Sequence, residues 1–268
     1  MDCIVQQHKA YAYTGGKPFD GTLPVVVLLH GALGDHSVWI LQSRYLVHHG
    51  FAVLAPDLPG HCRSHGAPPD SVEAAAGWVL ALLDAVGVQQ AALVGHSWGS
   101  LIALEAAARA PQRITHLALV GTAFPMRVAP ALLQSSLDDP EAAIRMINVF
   151  SRSTLCAPPS ALGPGTWVWG ANTALNRRVL RSNPKHNVFY AGFKACDQYQ
   201  NGLEAMAAVR APVLFALGAQ DQMTPPKAAQ SLIAAAHDAR VVMLPGGHHQ
   251  MTETPDALLH ALVDFLRT

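Results

Sequence analysis

Residues 95–99 read Gly95-His96-Ser97-Trp98-Gly99, a serine between two glycines where an apolar run, Ala91 to Val94, gives way to a helix-like pattern. A serine hydroxyl is a poor nucleophile at neutral pH. It becomes a good one when a neighbouring base takes its proton and a carboxylate orients that base. A sharp strand-to-helix turn presents the hydroxyl at the edge of a sheet, and the flanking glycines are needed because side chains there would strike the next strand or helix. The helix starting at Trp98 would also aim free backbone N–H groups and the positive end of its dipole at the site, which favours an oxyanion over a neutral carbonyl. The chemistry in prospect is acyl transfer through a serine adduct. Both missing partners occur downstream: Asp221 in "LFALGAQDQMTPP", and His248 beside His249 in "VVMLPGGHHQMTETP".

Groups so far apart in sequence meet only if a fold gathers the ends of several strands. Short apolar runs supply them: "VVVLLHG" from Val25, "FAVLAPD" from Phe51, "AALVGH" from Ala91, "HLALVGT" from His116, "PVLFALG" from Pro212 and "RVVMLPG" from Arg240. This is the pattern of buried parallel strands. Helical segments are expected between them at about 37–49, 71–86, 98–110, 226–236 and 255–267. The alternation predicts an α/β fold, a mostly parallel, doubly wound sheet covered by helices on both faces. "KAYAYTGG" near the start reads as an antiparallel edge strand or hairpin. Between Phe124 and about Ala205 the alternation fails, while "DDPEAAIRMINVF" has a capped helix start and 172–181 also reads as helix. A helical lid at 124–205 is therefore expected to divide a core of residues 1–123 and 206–268. It would sit over the C-terminal edge of the strands, where open α/β sheets bind ligands.

With these stretches placed, the chain resembles the α/β-hydrolase fold serine hydrolases that carry a helical cap. The likeness rests on "LLHGALGD", "APDLPGHCRS", "LVGHSWGS", "LGAQDQMTPP" and "LPGGHHQMTETP" at both ends of the chain. It implies Ser97 as nucleophile, His248 as general base and acid, and Asp221 as the group that fixes the imidazole, in the chain order Ser, Asp, His. It further implies an oxyanion hole from the N–H of Trp98 and that of Ala32, after the His30-Gly31 pair. His248 is preferred to His249 because similar proteins place the catalytic histidine five residues before the glutamate of an E-x-P sequence, here Glu253-Thr254-Pro255. Serine at the elbow argues against relatives that displace halide or open epoxides with an aspartate. The leading expectation is an esterase, acting through an acyl-enzyme on a small or medium substrate.

Alternatives on the same triad are a carbon–carbon bond hydrolase of aromatic catabolism, a perhydrolase, and an amidase of the proline iminopeptidase kind. The last has a similar "GHSWGS" elbow but would need an acidic cluster for the substrate amine. From another class, a non-catalytic binding protein on this scaffold would usually lack a triad member, and all three are present.

Other residues have competing readings. Trp167, Trp169, Met223 and Met251 are candidates for the substrate pocket or for packing. His30 and His96 are expected to shape loops. Asp57, His61 and His65 have the four-residue spacing of metal ligands on a helix, but Pro59 and Gly60 break that helix, and no metal or organic cofactor is expected. Arg177, Arg178, Arg181 and Lys185 read as a solvated face or as an attraction for anions. The four cysteines, Cys3, Cys62, Cys156 and Cys196, show no paired spacing. Among 268 residues, 18 basic side chains balance 18 acidic ones and half are apolar, so the expected partner is a small molecule rather than nucleic acid or membrane. The start, "MDCIVQQHKAYAYTGG", lacks the pattern of a signal peptide, and a cytoplasmic location is the expectation. Oligomeric state is left open.

Overall fold

The computed structural model describes residues 1–155, 158 and 166–268. The chain opens with a hairpin of β1 (Asp2–Val5) and β2 (His8–Tyr13), turned by Gln6 and Gln7 at φ 47° and 68°. Two consecutive positive φ values match the right-handed twist of the strands they join. Strand and helix then alternate as β3 (Val25–Leu29), α1 (Ile40–His48), β4 (Ala52–Pro56), α2 (Val72–Ala85), β5 (Ala91–His96), α3 (Trp98–Arg109) and β6 (Ile114–Val120). Five helices follow: α4 (Pro130–Asp138), α5 (Pro140–Ser151), α6 (Val168–Ser182), α7 (Val188–Gln198) and α8 (Gly202–Ala208). The chain closes with β7 (Val213–Gly218), α9 (Gln230–Ala235), β8 (Ala239–Leu244), α10 (Gln250–Glu253) and α11 (Pro255–Leu266).

The eight strands form one sheet in the order β1-β2-β4-β3-β5-β6-β7-β8, antiparallel at β1–β2 and β2–β4 and parallel elsewhere. Alternation along β3 divides the core. Val25, Val27 and Leu29 pack with α2, α3 and α8, whereas Val26 and Leu28 pack with α1 and α11. Each such side chain contributes on the order of 2 kcal/mol of hydrophobic stabilisation. Because β4 lies on one side of β3 and β5 on the other, the winding reverses between β3 and β5. The crevice beyond their C-terminal ends is where such sheets hold ligands.

Strand β8 corrects the expectation of a buried run. It is the last strand of the sheet, with Val242 packed against the core while Val241 and Met243 are 44% and 51% exposed. The expected lid boundary is also corrected. Residue 205 falls inside α8, whose Ala205 and Met206 belong to the main core beside α3. The inserted layer is α4 to α7, joined by its own apolar cluster of Leu132, Ile144, Ile147, Val179, Phe189 and Phe193 with Leu33 of the sheet domain.

This layer is tied to the loops after β3 and β4. Arg178 pairs with Asp35 at 2.6 Å, the amide of Cys62 donates to Ser182 Oγ at 2.9 Å, and Asn183 Nδ2 donates to the Gly60 carbonyl at 3.0 Å. Burial works against the Asp35 charge, but donors on Ser37 and Arg178 overcome it and hold its pKa down at about 2. A folded-state pKa below that of the unfolded chain makes the carboxylate stabilising above roughly pH 4, with the contribution lost as pH falls toward about 2. Asp35→Asn is therefore expected to flatten the loss of stability between those pH values, read from urea unfolding midpoints. An acid limb as steep as that of the native chain contradicts this role.

Candidate active site

Ser97 stands alone between the last residue of β5 and the first of α3, at φ 54° and ψ −120°. Such a backbone costs about 1–3 kcal/mol and persists only where its surroundings fix it. Here the Ser97 amide donates to the Val120 carbonyl at 3.0 Å, and its own carbonyl accepts from Ser100 Oγ at 2.5 Å. The flanking glycines are sterically required. A Cβ on Gly95 would overlap the Gly99 carbonyl, and one on Gly99 would lie 2.5 Å from the Leu29 oxygen.

Asp221 follows β7 and His248 follows β8, so both arrive at the same end of the sheet as Ser97. His248 Nδ1 lies 2.8 Å from Asp221 Oδ2. The carboxylate also accepts from the amides of Met223 (2.9 Å) and Thr224 (2.8 Å) and from Thr224 Oγ1 (2.8 Å). Burial opposes the Asp221 charge, yet His248 and these donors hold its pKa below the usual carboxylate value. An ionised partner fixes the proton on Nδ1 and leaves Nε2 as the basic nitrogen. Ser97 and His248 line one small cavity of about 40 Å³.

The loop carrying His248 is braced from two sides. Its amide donates to the Ser151 carbonyl at 3.0 Å, and its carbonyl faces His96 Nε2 at 2.9 Å. Glu253 closes the loop, accepting from the amides of Gly247 (3.2 Å) and Ser153 (2.9 Å) and from the Ser153 hydroxyl. That gives a physical reason for a glutamate five residues after the histidine. His249 lines the same cavity but contacts no carboxylate among the described residues, and burial pushes its pKa well below the ordinary value.

Gly31 runs against the elbow, since a Cβ there would lie 3.2 Å from that of Ser97. Ala32 follows it in the cavity wall, and among the described residues its amide has no acceptor. Trp98 begins α3, so its N–H has no intrahelical partner. Ala32 thus shares the cavity lining with Ser97, and Trp98 is the residue after that serine in the chain.

A second, larger cavity of about 290 Å³ also reaches Ser97 and is walled by Met126, Leu132, Met146, Phe193 and Met223, with Arg127 in its lining. Of the three proposed pocket residues, Met223 lines both cavities and the other two are corrected. Met251 is buried in the core on α10, where its carbonyl accepts from Gln42 Nε2 at 3.1 Å. Trp167 is 62% exposed, with its ring lying across Gly170 on the surface of α6. The sequence reading missed Ser151, Asn172 and Asn176, which line the small cavity from α5 and α6. Their signal is a pair of asparagines four apart inside a helix, where that residue is disfavoured.

His30 and His96 hold loops. His30 Nε2 accepts from the Leu58 amide at 3.1 Å, and burial lowers the His96 pKa to about 3. Asp57, His61 and His65 do not converge: His61 turns to the Pro59 carbonyl, while Asp57 accepts from the ring and amide of His36. In the basic cluster, Arg177 pairs with Glu141 at 2.7 Å and Arg178 with Asp35, and none of the four lines either cavity. Cys3, Cys62 and Cys196 are free thiols, whereas Cys156 lies outside the described residues. Among the described residues no helix is long and apolar enough to cross a membrane.

Comparison with known proteins agrees with this architecture. A model of the alpha/beta hydrolase fold matches residues 24–255. The chain is 28% identical over 264 aligned residues to a 2-hydroxy-6-oxononadienedioate/2-hydroxy-6-oxononatrienedioate hydrolase of Comamonas testosteroni, covering 90% of this chain and 87% of that one. It is 38% identical over 105 residues to the dihydrolipoyllysine-residue acetyltransferase component of the acetoin cleaving system of Pseudomonas putida, a match spanning 39% of this chain and 28% of that protein. The enol-lactonase of Burkholderia xenovorans LB400 superposes over the full length of both chains with a TM-score of 0.83, at 24% identity.

Proposed function

The chain belongs to the alpha/beta hydrolase fold family, and from that premise we propose that it is a serine hydrolase cleaving carboxylic esters through an acyl-enzyme on Ser97, His248 and Asp221. The observation that carries this reading is the 2.8 Å contact of His248 Nδ1 with Asp221 Oδ2, on an imidazole that shares a cavity with Ser97. His248 Nε2 takes the Ser97 proton as Oγ bonds to the ester carbonyl. The negative charge that develops on the carbonyl oxygen is met by the N–H groups of Ala32 and Trp98. Collapse breaks the bond to the alcohol, which leaves with the proton from His248. Water then attacks the acyl group, giving its proton to His248, and the acid departs as Ser97 regains a proton. The helical layer α4 to α7 acts as the cap that encloses the substrate.

Carbon–carbon bond hydrolysis is the second reading, favoured by the Comamonas testosteroni relative. That relative's substrate name denotes a dioate. Here the cationic side chain in the described cavity linings is Arg127, in the larger cavity, and the small cavity has none. We therefore place esters first. The test is a series of p-nitrophenyl esters of increasing acyl length beside a ring-cleavage dienone. The ester reading expects turnover that rises with chain length up to the limit of the larger cavity. Bleaching of the dienone with feeble ester turnover overturns it in favour of the second.

A further inference from the structure

Building on the serine-hydrolase reading, we propose that the small cavity beside Ser97 is a subsite for one neutral hydroxyl group of the substrate. The preferred ester then carries a hydroxyl close to the scissile carbonyl on one arm and an extended apolar chain on the other.

The placement of three asparagines leads to this. Asn148 donates through Nδ2 to the Ile144 carbonyl at 2.9 Å, and Asn176 through Nδ2 to the Leu33 carbonyl at 3.0 Å. Each therefore presents its side-chain oxygen to Asn172, which answers with Nδ2 at 2.8 Å and 3.2 Å. The orientation of the Asn172 amide is thus dictated by its neighbours. Its Oδ1 is left buried without a partner, in a residue only 3% exposed. Ser151 Oγ, in a residue 1% exposed, is also unpartnered. Both residues line the cavity that contains Ser97 and His248.

Buried polar atoms in native proteins nearly always have partners, so two orphans on residues that line a reaction cavity point to a group supplied from outside. Asn172 Oδ1 can only accept, while the Ser151 hydroxyl can donate or accept. A single hydroxyl answers both, donating its proton to Asn172 and accepting from Ser151. A carboxylate does not fit, because it would face an acceptor and no Lys or Arg among the described residues lines this cavity. The space of about 40 Å³ is roughly three times what one water needs, enough for a hydroxymethyl group and too small for a ring. The apolar chain belongs in the larger cavity, among Met126, Leu132, Met146 and Phe193.

Two isosteric pairs, in each of which a hydroxyl replaces a methyl, test the subsite on either side of the carbonyl. They are hexyl glycolate against hexyl propanoate, and 2-hydroxyethyl hexanoate against propyl hexanoate. In one pair, the hydroxylated ester is expected to show a kcat/KM about tenfold higher or more, as for a substrate hydroxyl that answers buried polar groups. Ser151→Ala removes an unpaired group while leaving the backbone carbonyl that holds His248, and should draw that ratio down severalfold toward one. Reading ratios within pairs cancels any general loss of activity. Dissociation constants for the same esters on the Ser97→Ala protein report the subsite without turnover. Ratios near one in both pairs, with esters hydrolysed, overturn the subsite and leave the hydrolase reading. Preferential binding with no ester turned over by the native chain keeps the subsite and overturns the ester-hydrolase reading. No preference in binding and no turnover overturns both.

Discussion

Ser97→Ala is expected to lower kcat on the best ester by about ten-thousand-fold to a million-fold, the range for removing a triad nucleophile. The other nucleophilic groups in the cavity linings are not activated: Ser151 Oγ has no partner among the described residues, Thr224 Oγ1 donates to Asp221, and burial pushes the Cys196 thiol well up. Cys62 lies outside both cavities, and burial beside Asp35 and Asp57 pushes its thiol up to about 12, so it holds no useful thiolate at neutral pH. Stability provides the control. Alanine suffers the same penalty at φ 54° as serine, so the thermal midpoint should move little. Ser97→Gly should be equally inactive but more stable by about 1 kcal/mol, because glycine adopts positive φ without the clash of a Cβ. Residual activity above about one per cent in either folded variant contradicts the assignment. A glycine variant less stable than the native chain would mean that the elbow is not strained.

His248→Ala should lose at least about ten-thousand-fold in kcat, whereas His249→Ala should stay within about tenfold. The two histidines are adjacent and line the same cavity, so proximity to Ser97 does not separate them. Their partners do. His248 has an ionised carboxylate on Nδ1, which fixes the tautomer and steadies the imidazolium formed when the serine proton is taken. His249 has no carboxylate contact among the described residues, and the Arg152 charge adds to burial in keeping its ring neutral, so it is a poor proton acceptor. The reverse outcome, a dead His249→Ala and an active His248→Ala, would reassign the base.

How much of this was legible in the sequence varies along the chain for physical reasons. The parallel strands are plain because burial on both faces demands continuous apolar runs, as in Val25 to Leu29. The same logic misleads at β8, whose run is as apolar although Val241 and Met243 face outward. Position within a sheet depends on neighbours, not on the strand's own residues. The elbow is legible because its constraint is local, five residues with two obligatory glycines. The cap is less so. Helix α7 carries Gly192 in its middle, against helix propensity, because Ala32 approaches there to 3.0 Å of where a Cβ would stand. Helix α8 begins at Gly202, where a Cβ would overlap the ring of Phe124. Chain proximity also misled: Met251 is three residues from His248, but the turn into α10 carries it toward α1. The asparagine network spans three separate elements and becomes meaningful only when α5, α6 and the loop after β3 are seen together.

The central claim is that His248, held by Asp221, makes Ser97 nucleophilic, and one measurement meets it directly: the rate at which a fluorophosphonate probe modifies the folded chain, with the adduct located by peptide mass spectrometry. The native protein and His249→Ala are expected to react quickly, each with a single adduct on Ser97, while His248→Ala reacts at least about a thousandfold more slowly. Adduct on another residue, or labelling of Ser97 at an undiminished rate without His248, would contradict it.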